Sequence, residues 1–233
     1  MVGSLPITAQ CASLRARSAT VRTHDYGAGI SATLSPSLVY GLDIETDTAA
    51  GGLDPSTAAV VAVAVTGPDW NVVLDGPETA LLTQLDDTVR RLPPGVLVTW
   101  NGSRFDLPFL ADRAARCGVD LGLELTPDTR FRSHREPLPG HQGGYQASWH
   151  GHRHLDAYMV YRADVGASLG FPCGLKPLAR MMGLTPVEVD RERVHELAPE
   201  ALSEYVASDA VLTRELALRR WPTAWRAIDQ AIG

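Results

Sequence analysis

The stretch 38-LVYGLDIET-46 is a predicted strand that ends in two carboxylates, Asp43 and Glu45. Side chains alternate between the two faces of a strand, so Asp43 and Glu45 share one face. Leu42 and Ile44 point into the opposite layer. Two like charges on one face repel each other, and burying them without a partner is costly. A divalent cation bound by both carboxylates would remove this cost, although a strand that simply ends in solvent fits the same residues.

The bulk composition is that of a globular chain. The 233 residues suit one large domain, and 45% of them are hydrophobic and 21% charged. A net charge of -6 argues against binding nucleic acid mainly by bulk electrostatics, but it allows a local basic groove. The three cysteines fit neither a disulfide framework nor a zinc site. We find no signal peptide or membrane-spanning stretch and expect a cytoplasmic protein with no membrane partner.

The order of predicted elements indicates an α/β domain. Residues 1–35 are polar and turn-rich and predict an arm or a peripheral hairpin, and residues 36–233 form the domain. After the first strand, apolar runs at 58–67 and 71–74 predict an antiparallel hairpin. A helix over 77–92, a strand over 96–100 and a long helix over 198–221 follow. Residues 119–148 predict a long loop, or a loop with a small hairpin. This order predicts one mixed sheet flanked by helices.

Three more side chains join the two acids. Asp106 follows the strand at 96–100, and ligands gather where such strands end. Tyr205 and Asp209 are four residues apart on the last long helix and share a face that can be directed at the first strand. Each has a structural alternative, since Asp106 can cap a helix and the Tyr205–Asp209 pair can lie on a solvated surface.

The motifs DIET, NGSRFD and YVASD, in that order, resemble those of the DEDD superfamily of 3′→5′ exonucleases, which have an RNase H-like core. The spacing of Tyr205 and Asp209 resembles the tyrosine-containing (DEDDy) branch. The segment Asn101–Asp106 is most similar to the second motif of the proofreading domains of family B DNA polymerases, and RNase D is a more distant relative. The stretches HLDAYMVYR and GLKPLARMMGL also resemble the linkers between the second and third motifs. No polymerase module follows, so we expect a stand-alone nuclease.

The resemblance implies a two-metal exonuclease that acts on the 3′ end of single-stranded nucleic acid, with DNA favoured over RNA. Two Mg²⁺ or Mn²⁺ ions roughly 4 Å apart would clamp the scissile phosphate. Asp43 would bridge both ions, Glu45 and Asp209 would complete one site, and Asp106 would support the other. Tyr205 would orient the attacking water, because a phenol is a poor base at neutral pH. The products would be nucleoside 5′-monophosphates.

Residues beside these motifs are candidate substrate contacts. Phosphate contacts are predicted in the basic cluster of the 119–148 loop, with a solvated loop as the alternative. The predicted substrate-binding residues are Ile44, Thr46, Asn101, Phe105, Arg130, Arg132 and Arg135. Trp100, Phe105 and Phe109 are candidates for a stacking wedge, with core packing as the alternative for Trp100. The histidines at positions 150, 152 and 154 fit a transition-metal site, but solvent-facing side chains are the preferred interpretation.

Three alternatives stay open at this point. An RNase D-like enzyme would degrade RNA from its 3′ end, and a scaffold protein would use the fold without catalysis. The presence of Asp43, Glu45, Asp106, Asp209 and Tyr205 argues against a degenerate scaffold. An RNase H-like endonuclease is disfavoured by the helical Tyr-x-x-x-Asp pattern.

Overall fold

A computed structural model describes residues 35–128, 138, 141 and 143–229. The predicted arm therefore lies outside the described residues, apart from Ser35. The strands are β1 (Val39–Thr46), β2 (Val60–Thr66), β3 (Asn71–Asp75), β4 (Val96–Thr99), β5 (Leu123–Asp128), β6 (Gly144–Trp149) and β7 (His152–Asp156). The α-helices are α1 (Glu78–Arg91), α2 (Asp106–Cys117), α3 (Ala157–Tyr161), α4 (Ala167–Leu169), α5 (Leu175–Met181), α6 (Pro199–Arg219) and α7 (Trp221–Asp229). Shorter helical turns lie at Pro36–Leu38, Thr48–Ala50, Arg162–Gly166 and Arg191–Glu196.

The strands form one mixed sheet in the order β3-β2-β1-β4-β7-β6-β5. β1, β2 and β3 are antiparallel neighbours, whereas β1, β4 and β7 run parallel. The predicted mixed sheet with an opening antiparallel hairpin is confirmed. The region over 119–148, predicted as a long loop or a loop with a small hairpin, contains β5 and all but the last residue of β6, which pair as an antiparallel hairpin.

Helices cover both faces of this sheet, because β1 is apolar on one side and carries small or acidic residues on the other. Tyr40, Leu42 and Ile44 pack with the buried faces of α1 and α2. On the opposite face, Val206 and Ala210 of α6 pack against small alanines of β2. Asp43 and Glu45 alternate with Leu42 and Ile44, so they lie on the α6 side.

The parallel strands bring their carboxyl ends to one edge of the sheet. β1 pairs with β4 only from Val39 to Gly41, so the second half of β1 extends past its neighbour. The turn after β4 and the start of α2 lie beside this extension. The candidate site is built there. Within the described part of the chain, no helix combines the length and apolar character needed to span a bilayer.

Candidate functional site: an acidic cleft at the sheet edge

Three carboxylates converge where β1 meets α6. Asp43, Glu45 and Asp209 each offer one oxygen, and these oxygens all lie within 4.8 Å of one another. The first two come from one face of β1, and the third comes from the face of α6 that packs on the sheet. Tyr205 lies one helical turn before Asp209, and both side chains are almost fully buried. Helix and strand periodicity therefore bring together residues that are at least 160 positions apart.

Asp106 enters the same cleft from the first turn of α2. It lies outside the three-carboxylate group, but its charge raises the pKa values of Asp43 and Glu45. The backbone N–H of Ile44 lowers the pKa of the Asp106 carboxyl, although burial outweighs this effect. β4 ends before it can pair with this part of β1, so the Asp106 carboxyl lies near the unpaired edge of the strand.

A fifth acid, Asp156 at the end of β7, holds the turn that carries the second motif. Its carboxylate accepts hydrogen bonds from the backbone N–H groups of Asn101 (2.9 Å) and Ser103 (3.2 Å) and from the Ser103 hydroxyl. It also caps α3 by accepting from the Tyr158 N–H at 3.1 Å. Asn101 has a φ of 70°, a left-handed conformation that these bonds help to hold.

Burial, and then repulsion between the acids, raises the pKa values of the carboxyl groups. Burial, followed by the charge of Asp209, raises the pKa of Glu45 to about 8. Burial also raises the pKa of Asp106 to about 7, and the charge of Asp156 adds to this effect. The pKa of Asp43 is raised well above its usual range by burial and then by Asp209, Glu45 and Asp106. The site therefore carries more acidic groups than the protein alone can keep ionised near neutral pH.

Two basic side chains face the acids, and sequence reasoning missed both. Lys176 of α5 places Nζ 3.4 Å from Asp209 Oδ1 and 3.8 Å from the centre of the Tyr205 ring. It also donates a 2.5 Å hydrogen bond to the Val187 carbonyl. Arg191 lines the cleft, and its charge lowers the pKa values of Asp43 and Glu45 against the larger effect of burial. The one sequence signal for Lys176 is a lysine within the buried face of a short helix, next to Leu175.

Tyr205 remains a protonated phenol in this environment. Burial raises its pKa, and the charges of Glu45 and Asp209 raise it further, because a phenolate would be a third anion beside them. Arg191 opposes the shift but does not reverse it. The hydroxyl can therefore donate a hydrogen bond and cannot serve as a base near neutral pH.

The predicted substrate contacts of the two motifs all line one cleft of about 1060 Å³. Ile44 also packs into the core, and the Thr46 hydroxyl donates to the Gly52 carbonyl at 2.5 Å, which holds the turn after β1. Phe105 stacks on Phe109, with ring centres 5.4 Å apart. Phe109 is fully buried, so its prediction as a stacking wedge is wrong. Trp100 lines the cleft and donates from Nε1 to the Cys173 carbonyl at 3.1 Å.

The prediction that the three histidines face solvent together is wrong. His152 is 1% exposed, and its ring accepts from the Gly95 N–H at 3.1 Å. His154 bonds Thr99 at 2.7 Å, and burial lowers its pKa to about 3. His150 lies in the β6–β7 turn and bonds Asp86 at 2.8 Å. Each ring thus has its own protein partner. The predicted basic cluster of Arg130, Arg132 and Arg135 lies outside the described residues.

The acidic cluster fits a divalent metal by the chemistry of its donors. Carboxylate oxygens are the ligands that Mg²⁺ and Mn²⁺ prefer. Among the described residues, the buried Asp209 Oδ1 has the Lys176 ammonium 3.4 Å away but no hydrogen bond of normal geometry. One lysine does not neutralise three neighbouring carboxylates, and a bound divalent cation would supply the missing positive charge.

Known proteins share sequence similarity with this chain. Residues 63–168 match the model of the family described as DNA polymerase family B, exonuclease domain. The chain is 31% identical over 156 residues to the DNA polymerase epsilon catalytic chain of Saccharomyces cerevisiae. It is 34% identical over 140 residues to the corresponding chain of Schizosaccharomyces pombe. This part of the chain is similar to the exonuclease domain of family B DNA polymerases. The family match includes Asn101, Phe105 and Asp106.

The similarity extends to the fold. The structure of the family B DNA polymerase from the hyperthermophilic archaeon Pyrobaculum calidifontis matches 79% of this chain and 24% of that chain, with a TM-score of 0.63 and 24% identity. The predicted RNase H-like fold is therefore confirmed. The matches to the two polymerase epsilon chains cover 64% and 58% of this chain but only 6% of each relative. The two polymerase epsilon chains are thus much longer than this chain, and their activities are those of the complete polymerases.

Proposed function

We propose that this chain is a metal-dependent 3′→5′ exonuclease of the tyrosine-containing DEDD type. It would hydrolyse single-stranded nucleic acid, with DNA preferred over RNA, and release nucleoside 5′-monophosphates. The observation that carries the proposal is the grouping of Asp43, Glu45 and Asp209 within 4.8 Å, in one cleft with Asp106 and Tyr205. The similarity to family B exonuclease domains supports the same reaction.

The carboxylates would hold the metal ions. Asp43, Glu45 and Asp209 are close enough to share an ion, and Asp106 would support a second one from the start of α2. Bound Mg²⁺ or Mn²⁺ would supply the positive charge that stabilises the attacking and leaving oxygens of the phosphodiester. Ionised carboxylates are needed for this role, so the raised pKa values make metal affinity dependent on pH.

The other residues of the cleft would bind and orient. The protonated Tyr205 hydroxyl would direct the attacking water by donating or accepting a hydrogen bond. Lys176 would hold Asp209 in place through its charge and the Tyr205 ring through its cation–π contact. Asn101 and Phe105 line the approach to the acids, and Phe105 offers a ring on which the terminal base can stack.

A degradation assay tests this function. DNA and RNA oligonucleotides labelled at either end would be incubated with Mg²⁺ or Mn²⁺, with EDTA as the control. We expect 5′-labelled strands to shorten stepwise and 3′-labelled strands to release labelled mononucleotide at once. Cleavage of circular single strands would indicate an endonuclease instead. Preference for RNA would favour the RNase D-like alternative, and binding without cleavage would favour a scaffold. A cytoplasmic location and stand-alone action stay predictions.

A further inference from the structure

The cleft that holds the acids extends beyond them, into an arm built from the chain between β7 and α5. The lining of this arm includes Tyr158, Arg162 and Phe171, with Gly166 and Gly170 between them in sequence. We call this part of the cleft the aromatic arm. Among the described residues that line the cleft, every acidic side chain lies outside the arm. A polyanion that enters the cleft therefore meets the least repulsion there.

Two half-buried aromatic rings give the arm a firm surface. Tyr158 and Phe171 line the cleft, and both also pack against the buried cluster that includes Leu178. The Tyr158 ring makes a T-shaped contact with Trp100, with ring centres 6.3 Å apart. Rings that the protein already holds in place lose little conformational entropy when a ligand binds. Such rings suit the stacking of nucleobases, which depends little on sequence.

Arg162 supplies the positive charge of the arm. Its side chain is exposed, and its Nη1 donates to the Tyr158 hydroxyl at 3.3 Å. In the described part of the chain, no carboxylate forms an ion pair with Arg162. A guanidinium carries more N–H donors than this one contact uses, and the Tyr158 hydroxyl keeps its own proton. The two side chains therefore offer neighbouring donors to a phosphate oxygen.

Close packing fixes the arm next to the second motif. A Cβ atom added at Gly166 would lie 3.0 Å from Cys173 Sγ and 3.6 Å from Arg162 Cγ, so the missing side chain lets these two groups approach. The Cys173 carbonyl accepts a hydrogen bond from Trp100 Nε1 at 3.1 Å. Trp100 directly precedes Asn101, which lines the approach to the acids. The arm is thus continuous with the part of the cleft where the proposed reaction takes place.

We propose that the aromatic arm binds the single strand upstream of its terminal nucleotide, with Arg162 and Tyr158 on a backbone phosphate and Phe171 against a base. The inference rests on the proposed exonuclease function and deepens it by assigning the path of the strand. A strand whose last phosphodiester lies at the acids has to leave the cleft, and the arm combines two rings and a cation with the absence of acids. A dinucleotide has no phosphate beyond the scissile one, so it cannot use the Arg162 contact.

Strand length therefore tests the inference. The substrates would be a dinucleotide with a free 5′ hydroxyl and a decanucleotide, each assayed for kcat and KM with Mg²⁺. We expect Arg162→Gln to lower the ratio of kcat/KM on the decanucleotide to that on the dinucleotide roughly 3- to 10-fold, through KM. The slope of log KM against log salt on the decanucleotide should also fall by about 0.7, as for one lost phosphate contact on a single strand. Arg162→Lys keeps the charge and should restore most of the ratio.

Two further variants complete the comparison. Arg180→Gln is the matched control, because it makes the same change in charge at an exposed arginine that pairs with Glu188 and is not part of the cleft lining. It should leave the ratio unchanged. Phe171→Leu keeps an apolar side chain but removes the ring, and it should lower the ratio as Arg162→Gln does. A melting curve verifies that each variant is folded.

Two outcomes would overturn the inference. An unchanged ratio in Arg162→Gln would mean that the strand does not pass through the arm. An equal fall in Arg162→Gln and Arg180→Gln would show an effect of net charge instead of a contact.

A binding measurement separates failure of the inference from failure of the proposed function. The affinity of the wild type and of Arg162→Gln for a labelled decanucleotide would be titrated in EDTA, where no metal-dependent cleavage occurs. A wild type that binds more tightly than Arg162→Gln but cleaves nothing with Mg²⁺ would refute the exonuclease function and leave the arm as a strand-binding surface. A wild type that cleaves, with equal affinities in the two proteins and an unchanged ratio, would refute the arm alone. A wild type that neither binds nor cleaves would overturn both.

Discussion

Gly41 of β1 lies directly beneath the carbonyl of Ala210 in α6. A Cβ atom added at Gly41 would lie 2.2 Å from that oxygen, well inside the range that atoms tolerate. The absence of a side chain at Gly41 therefore lets the helix approach the strand closely. Asp209 precedes Ala210 in the helix, and Asp43 follows Gly41 by two residues in the strand. This approach sets the spacing between carboxylates of two distant motifs.

Gly41→Ala should consequently affect stability and activity together. The new methyl group has to push α6 away or distort β1, and such overpacking typically costs about 1–3 kcal/mol. The displaced Asp209 should weaken metal binding and lower the rate. Thermal unfolding and the metal-concentration dependence of activity measure the two effects. Gly174→Ala is the stability control, since its Cβ would meet only Pro177 at 3.4 Å. Equal stability of the two variants would contradict the close-approach argument.

Removing the Asp43 carboxylate is expected to lower turnover more than removing the Tyr205 hydroxyl. Asp43→Ala removes a carboxylate from the centre of the cluster and should nearly abolish turnover. Tyr205→Phe keeps the ring but deletes the hydroxyl, so turnover should slow roughly 10- to 100-fold. Both proteins should fold, which a melting curve can verify. Equal loss in the two variants would mean that the phenol does more than orient water, and full activity of Tyr205→Phe would refute its assigned role.

The metal-free protein should lose stability as pH rises through neutrality. The pKa of Glu45 is raised to about 8 and that of Asp106 to about 7, so the folded chain retains protons that the unfolded chain has released. Stability should then fall from about pH 4.5, where the unfolded carboxyl groups ionise, up to about pH 7 for Asp106 and about pH 8 for Glu45, on the order of 1 kcal/mol per pH unit for each group over its own range. The low pKa of His154 opposes this slope only below about pH 6.5, where unfolded histidine is protonated.

Urea unfolding in EDTA at several pH values measures this slope. Mg²⁺ should flatten the slope, because the cation competes with protons for the same oxygens. Glu45→Gln should reduce it in the absence of metal. A metal-free stability that rises with pH across this window would contradict the raised pKa values.

Asp156→Ala is expected to damage the fold more than a typical loss of a surface acid. The buried N–H groups of Asn101 and Ser103 would lose their acceptor, which costs roughly 1–3 kcal/mol for each group left unpaired. The freed turn also carries Asp106, so kcat should fall. Asp54→Ala is the comparison, because the exposed Asp54 accepts the Ser56 N–H at 2.8 Å. A similar, small effect in both variants would show that Asp156 does not hold the turn.

The basic cluster at Arg130, Arg132 and Arg135 remains a prediction about substrate binding. Replacing all three arginines with glutamine should raise KM and flatten the salt dependence of binding, because each phosphate contact releases counterions. The measurement is KM on a single-stranded oligonucleotide at several salt concentrations. An unchanged KM and salt slope would leave the cluster as a solvated loop.

Local periodicity in the sequence predicted much of this fold. Alternation along β1 predicted that Asp43 and Glu45 lie opposite Leu42 and Ile44, and the structure has that arrangement. Four-residue spacing placed Tyr205 and Asp209 on one helical face. These features depend only on the geometry of a single strand or helix, so the sequence alone determines them.

Tertiary packing decided what no local pattern encodes. Lys176 and Arg191 come from a short helix and an irregular segment, and only chain folding brings them to the acids. Asp156 caps the helix that follows it, and its second set of bonds reaches a turn 55 residues away in sequence. The histidines alternate in sequence, but a backbone turn at His150 and separate partners direct them apart. Periodicity fixes the direction in which a side chain points, whereas the distance to a partner depends on how closely two elements pack. At Gly41 that distance is set by a missing Cβ atom.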